Sequence, residues 1–365
     1  MATFVQDTDV RPGPNRYVSD PGVAKIVPKY LEDYDHPVVI TGVKSAQAFL
    51  DYTGADEFFA PVLRYDGTSS ERNARELAEQ AKALDADAIV AIGAGKLSDT
   101  AKNVADMLNL DLIIVPTLAC ACAAYSPYSV DYDDEHRFLG VPVHPRNSTA
   151  LLVDAAMIAR APSEKFIGGI GDTLAKFYES DPVFAQADDL TVFDKLSRHS
   201  ARLVRDTLLE ESEPALEALR AGKYDDQHVR TLIDTIIGLA GTVAGFGGVR
   251  ARESGAHTVH DGLTRIPGSA ETMHGEKVAY GVMVQLVTEG KEDEARALLP
   301  FYDRIGLPHS LRQMNLPFTD DNLRTVADFA AAEGSPFHAA VPDVTAERII
   351  DAMRVVEGFA QPSTE

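Results

Sequence analysis

The sequence predicts an α/β chain in two domains: a mostly parallel sheet layered with helices over residues 1–160, then an all-helical domain over residues 161–365. Three observations predict it. Short β-branched runs alternate with segments of helical period in the first part of the chain. Glycine turns follow several of those runs. Beyond Ala161-Pro162 the strand-like runs stop and long helix-period segments take over. A chain of 365 residues is long enough for two domains of ordinary size.

Taken in order, residues 1–35 read as a leader along the edge of the first domain. Residues 37–41 are an apolar β-branched run, hence a buried strand, closed by Gly42 and followed by a helical stretch through Ala46, Phe49 and Leu50. Residues 61–65 form a weaker strand. Thr68-Ser69-Ser70-Glu71 has the spacing of a capping box, with Thr68 at the N-cap. The helix it opens carries Leu77, Ala78, Ala81 and Leu84 on one face. Residues 88–92 are a third strand, Gly93-Ala94-Gly95 turns the chain, residues 98–108 are helical, and residues 112–116 make a fourth strand. In the second domain the periodic segments are 172–178, 192–210, 229–244, 274–290, 320–332 and 346–356. The polar tail, 361–365, is expected to fray.

Composition excludes several classes of function. Hydrophobic residues make up 45% and charged residues 25%, as in soluble globular proteins. No apolar run is read as long enough to span a bilayer, and the N-terminus lacks the basic-then-apolar pattern of a secretory signal. Cys120 and Cys122 form neither a disulfide framework nor a C-x-x-C motif. A cytoplasmic protein that needs no membrane is the expectation. The net charge of −22, with no basic stripe, repels nucleic acid. Such a charge serves solubility, and composition does not separate that from salt adaptation.

The chemistry concentrates in residues 253–284, which hold His257, His260 and His274, three of the ten histidines. Histidine is the commonest zinc ligand. His257 and His260, three apart, share a helix face. A loop containing Gly262, Pro267 and Gly268 is placed to fold His274 back toward them. The best candidate for a further ligand is Asp172, at the end of the glycine-rich turn Gly168-Gly169-Ile170-Gly171. On spacing alone, a metal site and a set of helix-capping or polar-pocket histidines stand level.

A second candidate is the turn Gly93-Ala94-Gly95-Lys96-Leu97-Ser98-Asp99. It follows a strand and opens a helix, where backbone N–H groups and the positive helix end suit a phosphate. It is not a P-loop, because Leu97 stands where Ser or Thr is required. Nor is it the usual dinucleotide fingerprint, because Ser98 replaces the third glycine. A phosphate turn of another kind and a plain tight turn both remain open.

These blocks occur in a telling order: Gly93-x-Gly95-Lys96-x-x-Asp99-Thr100-Ala101-Lys102, Val115-Pro116-Thr117, Gly169-Ile170-Gly171-Asp172, His257-x-x-His260-x-Gly262-Leu263-Thr264, and His274-Gly275-Glu276-Lys277-Val278-Ala279-Tyr280-Gly281. Together they resemble the glycerol dehydrogenase branch of the iron-containing (group III) alcohol dehydrogenase superfamily, from Asn15-Arg16-Tyr17 onward. The resemblance implies a dehydroquinate synthase-like architecture. A Rossmann-like nucleotide-binding domain would precede a helical catalytic domain, with the active site in the cleft between them. It implies an NAD(P)-linked oxidoreductase acting on CH–OH groups of a small molecule, in a homo-oligomer. It also implies one divalent metal, zinc with iron as the alternative, on Asp172, His257 and His274. His260 would stand beside the metal as a hydrogen-bonder or proton relay. Gly95 and Lys96 would meet the cofactor pyrophosphate, Asp99 would be a further cofactor-binding residue, and Thr117, Cys120, Ser126, Tyr128 and Tyr132 would line the cofactor.

Three departures from the family pattern sharpen the expectation. Gly42 stands where NAD-preferring members commonly carry an Asp, with Lys44 two residues on, so NADPH should be accepted at least comparably to NADH. Cys122 stands where the glycerol enzymes carry an Asp, and a thiol is a poor acceptor for a polyol. The Cys122-Ala123-Ala124 stretch looks more like hydroxycarboxylate dehydrogenase members. Lys176, one helical turn after Asp172, suits a substrate carboxylate or else pairs with Asp172 or Glu179. The expected reaction interconverts 2-oxo and 2-hydroxy acids, with glycerol oxidation to dihydroxyacetone as the alternative. Dehydroquinate synthase-like and glycerol-1-phosphate chemistry rank low, because no cationic phosphate pocket is visible beyond Lys176 and Arg252.

Overall fold

The computed structural model describes residues 10–133 and 137–359. The chain folds as two compact units, Met1–Phe166 with Pro214–Gly245, and Ile167–Glu213 with Phe246–Glu365. The readings made for residues 1–9 of the leader and for the tail at 361–365 lie outside the described residues.

The first unit is built on β1 (Arg16–Ser19), β2 (Pro37–Thr41), β3 (Val62–Arg64), β4 (Ala88–Gly93), β5 (Asp111–Pro116) and β8 (Ala150–Val153). They form one sheet in the order β1-β8-β5-β4-β2-β3, parallel at every pairing. A short antiparallel pair, β6 (Asp131–Tyr132) and β7 (Phe138–Gly140), stands apart from it. Central parallel strands are covered on both faces, so they read as continuous apolar runs. All of β4 and β8 is buried, and Val39, Val90, Ile92, Ile113, Val115 and Leu152 pack with Val23, Val27 and Phe49.

Helices α1 (Val43–Thr53), α2 (Glu71–Ala83) and α3 (Gly95–Leu108) follow β2, β3 and β4. Two local readings are corrected. The α2 cap is Ser70, whose hydroxyl accepts from Asn73 N, and not Thr68. The leader supplies an edge strand as well as an edge wrap, since β1 pairs with β8.

From β2 the chain steps outward to β3, but from β4 it steps the other way to β5. The order therefore reverses between neighbours β2 and β4, whose register pairs Thr41 with Ile92. Open α/β sheets bind ligands beyond the carboxyl ends of strands at such a reversal. Both Gly42 and the Gly93–Gly95 turn stand there.

The helical stretch Gln227–Ala251 is long and apolar enough by composition to cross a membrane, contrary to the reading that no such run exists. Its apolar window is 67% buried inside the fold, as in a core helix.

The second unit is helical among its described residues. Its site is carried by α4 (Ser163–Gln186), α5 (Gly255–Leu263) and α6 (His274–Thr288). α5 packs on α6 and on α7 (Asp320–Ala330), and both α6 and α7 pack on α8 (Ala346–Phe359). The predicted turn at 168–172 is instead the interior of α4. Glycine is a poor helix former, but here it removes side chains where helices touch backbone to backbone. A Cβ at Gly171 would lie 2.4 Å from Gly275 O, and one at Gly275 would lie 1.7 Å from Gly168 O. Across α5 and α6, a Cβ at Gly281 would lie 2.3 Å from Ala256 O. These crossings fix the site, because Asp172 follows Gly171, His274 precedes Gly275, and His257 follows Ala256.

Candidate active site

Asp172 Oδ1 lies 3.2 Å from His257 Nε2 and 3.0 Å from His274 Nε2. One ligand atom from each of the three residues falls within 4.8 Å of the others, a grouping that suits a metal ion. The opposite nitrogen of each imidazole is also held. His257 Nδ1 donates to Glu179 Oε2 at 2.6 Å, and Glu179 Oε1 accepts from the backbone N–H of Ser254 and of His257, both at 2.8 Å. His274 Nδ1 meets His260 Nε2 at 2.9 Å, and His260 Nδ1 meets Asp261 Oδ1 at 2.9 Å. Asp172 and Glu179 are buried, whereas the His274 side chain is 45% exposed, so the cluster opens on its His274 side.

The donor set fits a divalent metal. If His274 Nδ1 donates to His260, and His260 Nδ1 to Asp261, then His274 Nε2 presents a lone pair. The Nδ1–H of His257 leaves its Nε2 a lone pair too. Both lone pairs and Asp172 Oδ1 then converge. Occupying the second nitrogen of a ligating histidine with a carboxylate or similar group is the usual way to fix its tautomer. Without a cation, protons must stand between these nitrogens and Asp172. The charges agree. Burial alone would raise Asp172, but hydrogen bonds from His257 and His274, with Lys176 nearby, hold it well below the carboxylate range. Burial would likewise lower His257, but Glu179 and Asp172 hold it well above its ordinary value. Burial, helped by His274 and Lys277, pushes His260 well down, consistent with a neutral ring between two partners.

In the first unit, α3 starts at Gly95 directly after β4, and Ala94 at its N-cap makes no side-chain cap hydrogen bond. The helix end is therefore open to an anion. Lys96 Nζ sits 4.9 Å over the Tyr132 ring. Thr117 N donates to Gly93 O at 3.0 Å, tying the β5 exit to the same turn.

The matching family model, iron-containing alcohol dehydrogenase, covers residues 14–155. Hydroxycarboxylate dehydrogenase A of Escherichia coli is 32% identical over 353 residues, spanning 95% of this chain and 97% of that protein. The chain belongs to the iron-containing alcohol dehydrogenase family. A glycerol dehydrogenase of Pseudomonas putida is 33% identical over 307 residues, covering 82% of each chain. Among solved structures, glycerol dehydrogenase from Schizosaccharomyces pombe matches with a TM-score of 0.85 at 26% identity, over 97% of this chain and 91% of that one. The protein is thus an oxidoreductase of the glycerol dehydrogenase branch, and this alcohol dehydrogenase family implies a nicotinamide cofactor and a divalent metal.

Within this family member, the structure brings Asp172, His257 and His274 together, with His260 against His274. Lys176 is buried on α4, and its Nζ donates to Arg252 O at 3.3 Å. Gly42, Gly95, Lys96, Thr117 and Tyr132 gather at the carboxyl ends of β2, β4 and β5. Asp99 instead turns inward, accepting from Lys102 Nζ at 2.9 Å and Val130 N at 3.2 Å. Cys120 is half-buried and Cys122 buried, with neither in a disulfide. Ser126 lines a small cavity with Lys102 and His144, and Tyr128 offers its carbonyl to Lys102.

Sequence reasoning named Glu179 only as a possible partner of Lys176 and missed its hold on His257; it missed Asp261 altogether. Part of the signal for Glu179 was present: Asp172, Lys176 and Glu179 stand at i, i+4 and i+7, on one face of α4.

Proposed function

We propose that this enzyme interconverts a 2-oxo acid and a 2-hydroxy acid, using NAD(P)(H) and one zinc ion on Asp172, His257 and His274. The observation that carries the reading is the convergence of those three donors with every second imidazole nitrogen held. Three protein ligands leave a coordination position for substrate, as in catalytic zinc sites. A divalent metal there supplies Lewis acidity toward the substrate oxygen, and nicotinamide supplies or takes the hydride.

The chain's own residues do the rest. Glu179 fixes the plane and tautomer of His257. His260 Nε2 accepts from His274 Nδ1, and His260 Nδ1 donates to Asp261 Oδ1, which fixes the tautomer of His274. Gly95 and Lys96 would hold the cofactor pyrophosphate at the start of α3. Gly42 leaves no carboxylate to repel a 2′-phosphate, so NADPH serves at least as well as NADH.

The choice of substrate is supported by the likeness to hydroxycarboxylate dehydrogenase A and by Cys122, a weak acceptor for a polyol. Lys176 adds an ammonium one turn along α4 from Asp172, suited to a substrate carboxylate. Its burial and its pull on Asp172 and Glu179 favour a second reading, in which it balances the charge of those carboxylates.

A panel of 2-oxo acids, aldehydes and polyols followed at 340 nm tests the proposal. Far more efficient oxidation of glycerol than of any 2-hydroxy acid overturns it. Lys176→Met should raise KM for the 2-oxo acid about tenfold, the worth of one hydrogen bond between charged groups, at unchanged metal content. If metal affinity falls instead and KM holds, Lys176 is a balancing charge.

A further inference from the structure

We propose that Arg64, with Lys44, forms a subsite for the 2′-phosphate of NADP(H) beyond the carboxyl end of β2. The inference rests on the cofactor reading of the Gly93–Gly95 turn and adds a residue to it.

The sheet register places the parts. Thr41 pairs with Ile92 on one side and with Arg64 on the other, so the ends of β4, β2 and β3 stand side by side in that order. A cofactor with its pyrophosphate at the β4 turn would bring its adenosine ribose toward the next strand end, beside Gly42, with Arg64 near enough to meet a 2′-phosphate. Arg64 Nη1 donates to Gly42 O at 3.2 Å, which holds the guanidinium at that mouth. The side chain is exposed, and among the described residues no carboxylate pairs with it. Its other N–H groups are left to meet a phosphate, which a guanidinium binds in two-pronged fashion. Lys44 is exposed in the first turn of α1, which carries no acidic residue, and the positive end of that helix adds to the attraction. In a chain of net charge −22, two exposed cations stand close together at this strand end.

Gly42 itself is not demanded by the backbone. Its φ of −88° and ψ of 177° are extended values open to any residue. A Cβ there would meet Ser45 Oγ at 3.4 Å and Tyr65 Cδ1 at 3.8 Å, ordinary contacts. A side chain would fit, so its absence matters for what it leaves room for. The same geometry makes Gly42→Asp a foldable reversal, with a carboxylate beside Arg64 that repels a phosphate and suits a ribose 2′-hydroxyl.

The test is calorimetric titration of 2′,5′-ADP and of 5′-ADP into the full chain and its variants, alongside kcat/KM for NADPH and NADH. Wild type should bind 2′,5′-ADP more tightly. Arg64→Gln should weaken 2′,5′-ADP about tenfold, for one lost charged hydrogen-bond pair, and leave 5′-ADP unchanged. Gly42→Asp should reverse the preference. Equal effects of Arg64→Gln on both nucleotides, or none on either, overturn the subsite. Gly95→Val separates the two levels. If it leaves both nucleotides bound, the cofactor reading has failed. If it weakens both while Arg64→Gln changes neither, only the subsite is wrong.

Discussion

The turn of the first unit and the cluster of the second are built from different materials. The turn is backbone: an uncapped helix start after a buried strand, with glycines to keep it clear. A residue with a small side chain can serve there, as Ala94 does at the N-cap. The cluster is side-chain atoms, each with a named partner: Asp172 against two imidazoles, Glu179 and His260 behind them. Its tolerance is correspondingly low. Backbone sites should degrade gradually on substitution, and side-chain sites should fail at once.

The largest effect should follow removal of a donor. Asp172→Ala should lose the metal and lower kcat/KM about a thousandfold, because metal polarisation of the substrate oxygen is worth several kcal/mol. Plasma mass spectrometry of the purified variant together with the 340 nm assay checks this, and a variant with full zinc and full activity would break the comparison.

Next comes Glu179→Gln, which keeps the shape but removes the carboxylate that fixes His257. Metal affinity should fall by roughly 10- to 100-fold, as for partners of ligating histidines elsewhere. Competition with a chromophoric chelator measures it. An unchanged affinity would mean that His257 is oriented by packing alone.

The smallest effect belongs to the turn. Gly95→Val leaves the N–H groups in place and crowds their mouth. Its Cβ meets Ala123 Cβ at an ordinary 3.5 Å, so the fold should stand. Nucleotide binding should weaken about tenfold, the worth of one hydrogen bond to a charged group, at unchanged metal content. Loss of metal in this variant would show that the two sites are not separable.

The same contrast explains what could be read without coordinates. Strands β2, β4 and β5 were legible because buried parallel strands need unbroken β-branched runs. Strands β1 and β8 were not. β1 is a four-residue edge strand, and its partner lies more than a hundred residues on, as in Tyr17 with Leu151. The start of α3 was placed three residues late because glycine argued against helix at Gly95, whereas the structure begins the helix there. The same propensity turned 168–172 into a loop, when Gly168 and Gly171 are helical because α6 presses against them. Asp172, His257 and His274 could be named from motif blocks. The hold of Glu179 on His257 could not, since it depends on a helix crossing that brings residues 78 apart within hydrogen-bond reach.

The account stands or falls on which atoms hold the metal. A crystal structure with anomalous diffraction recorded across the zinc edge decides it. The predicted result is a single peak about 2.0–2.2 Å from a carboxylate oxygen of Asp172, His257 Nε2 and His274 Nε2, with His260 Nε2 still on His274 Nδ1. A peak bound by His257 and His260 without His274, or no peak at this cluster in an active enzyme, would contradict it.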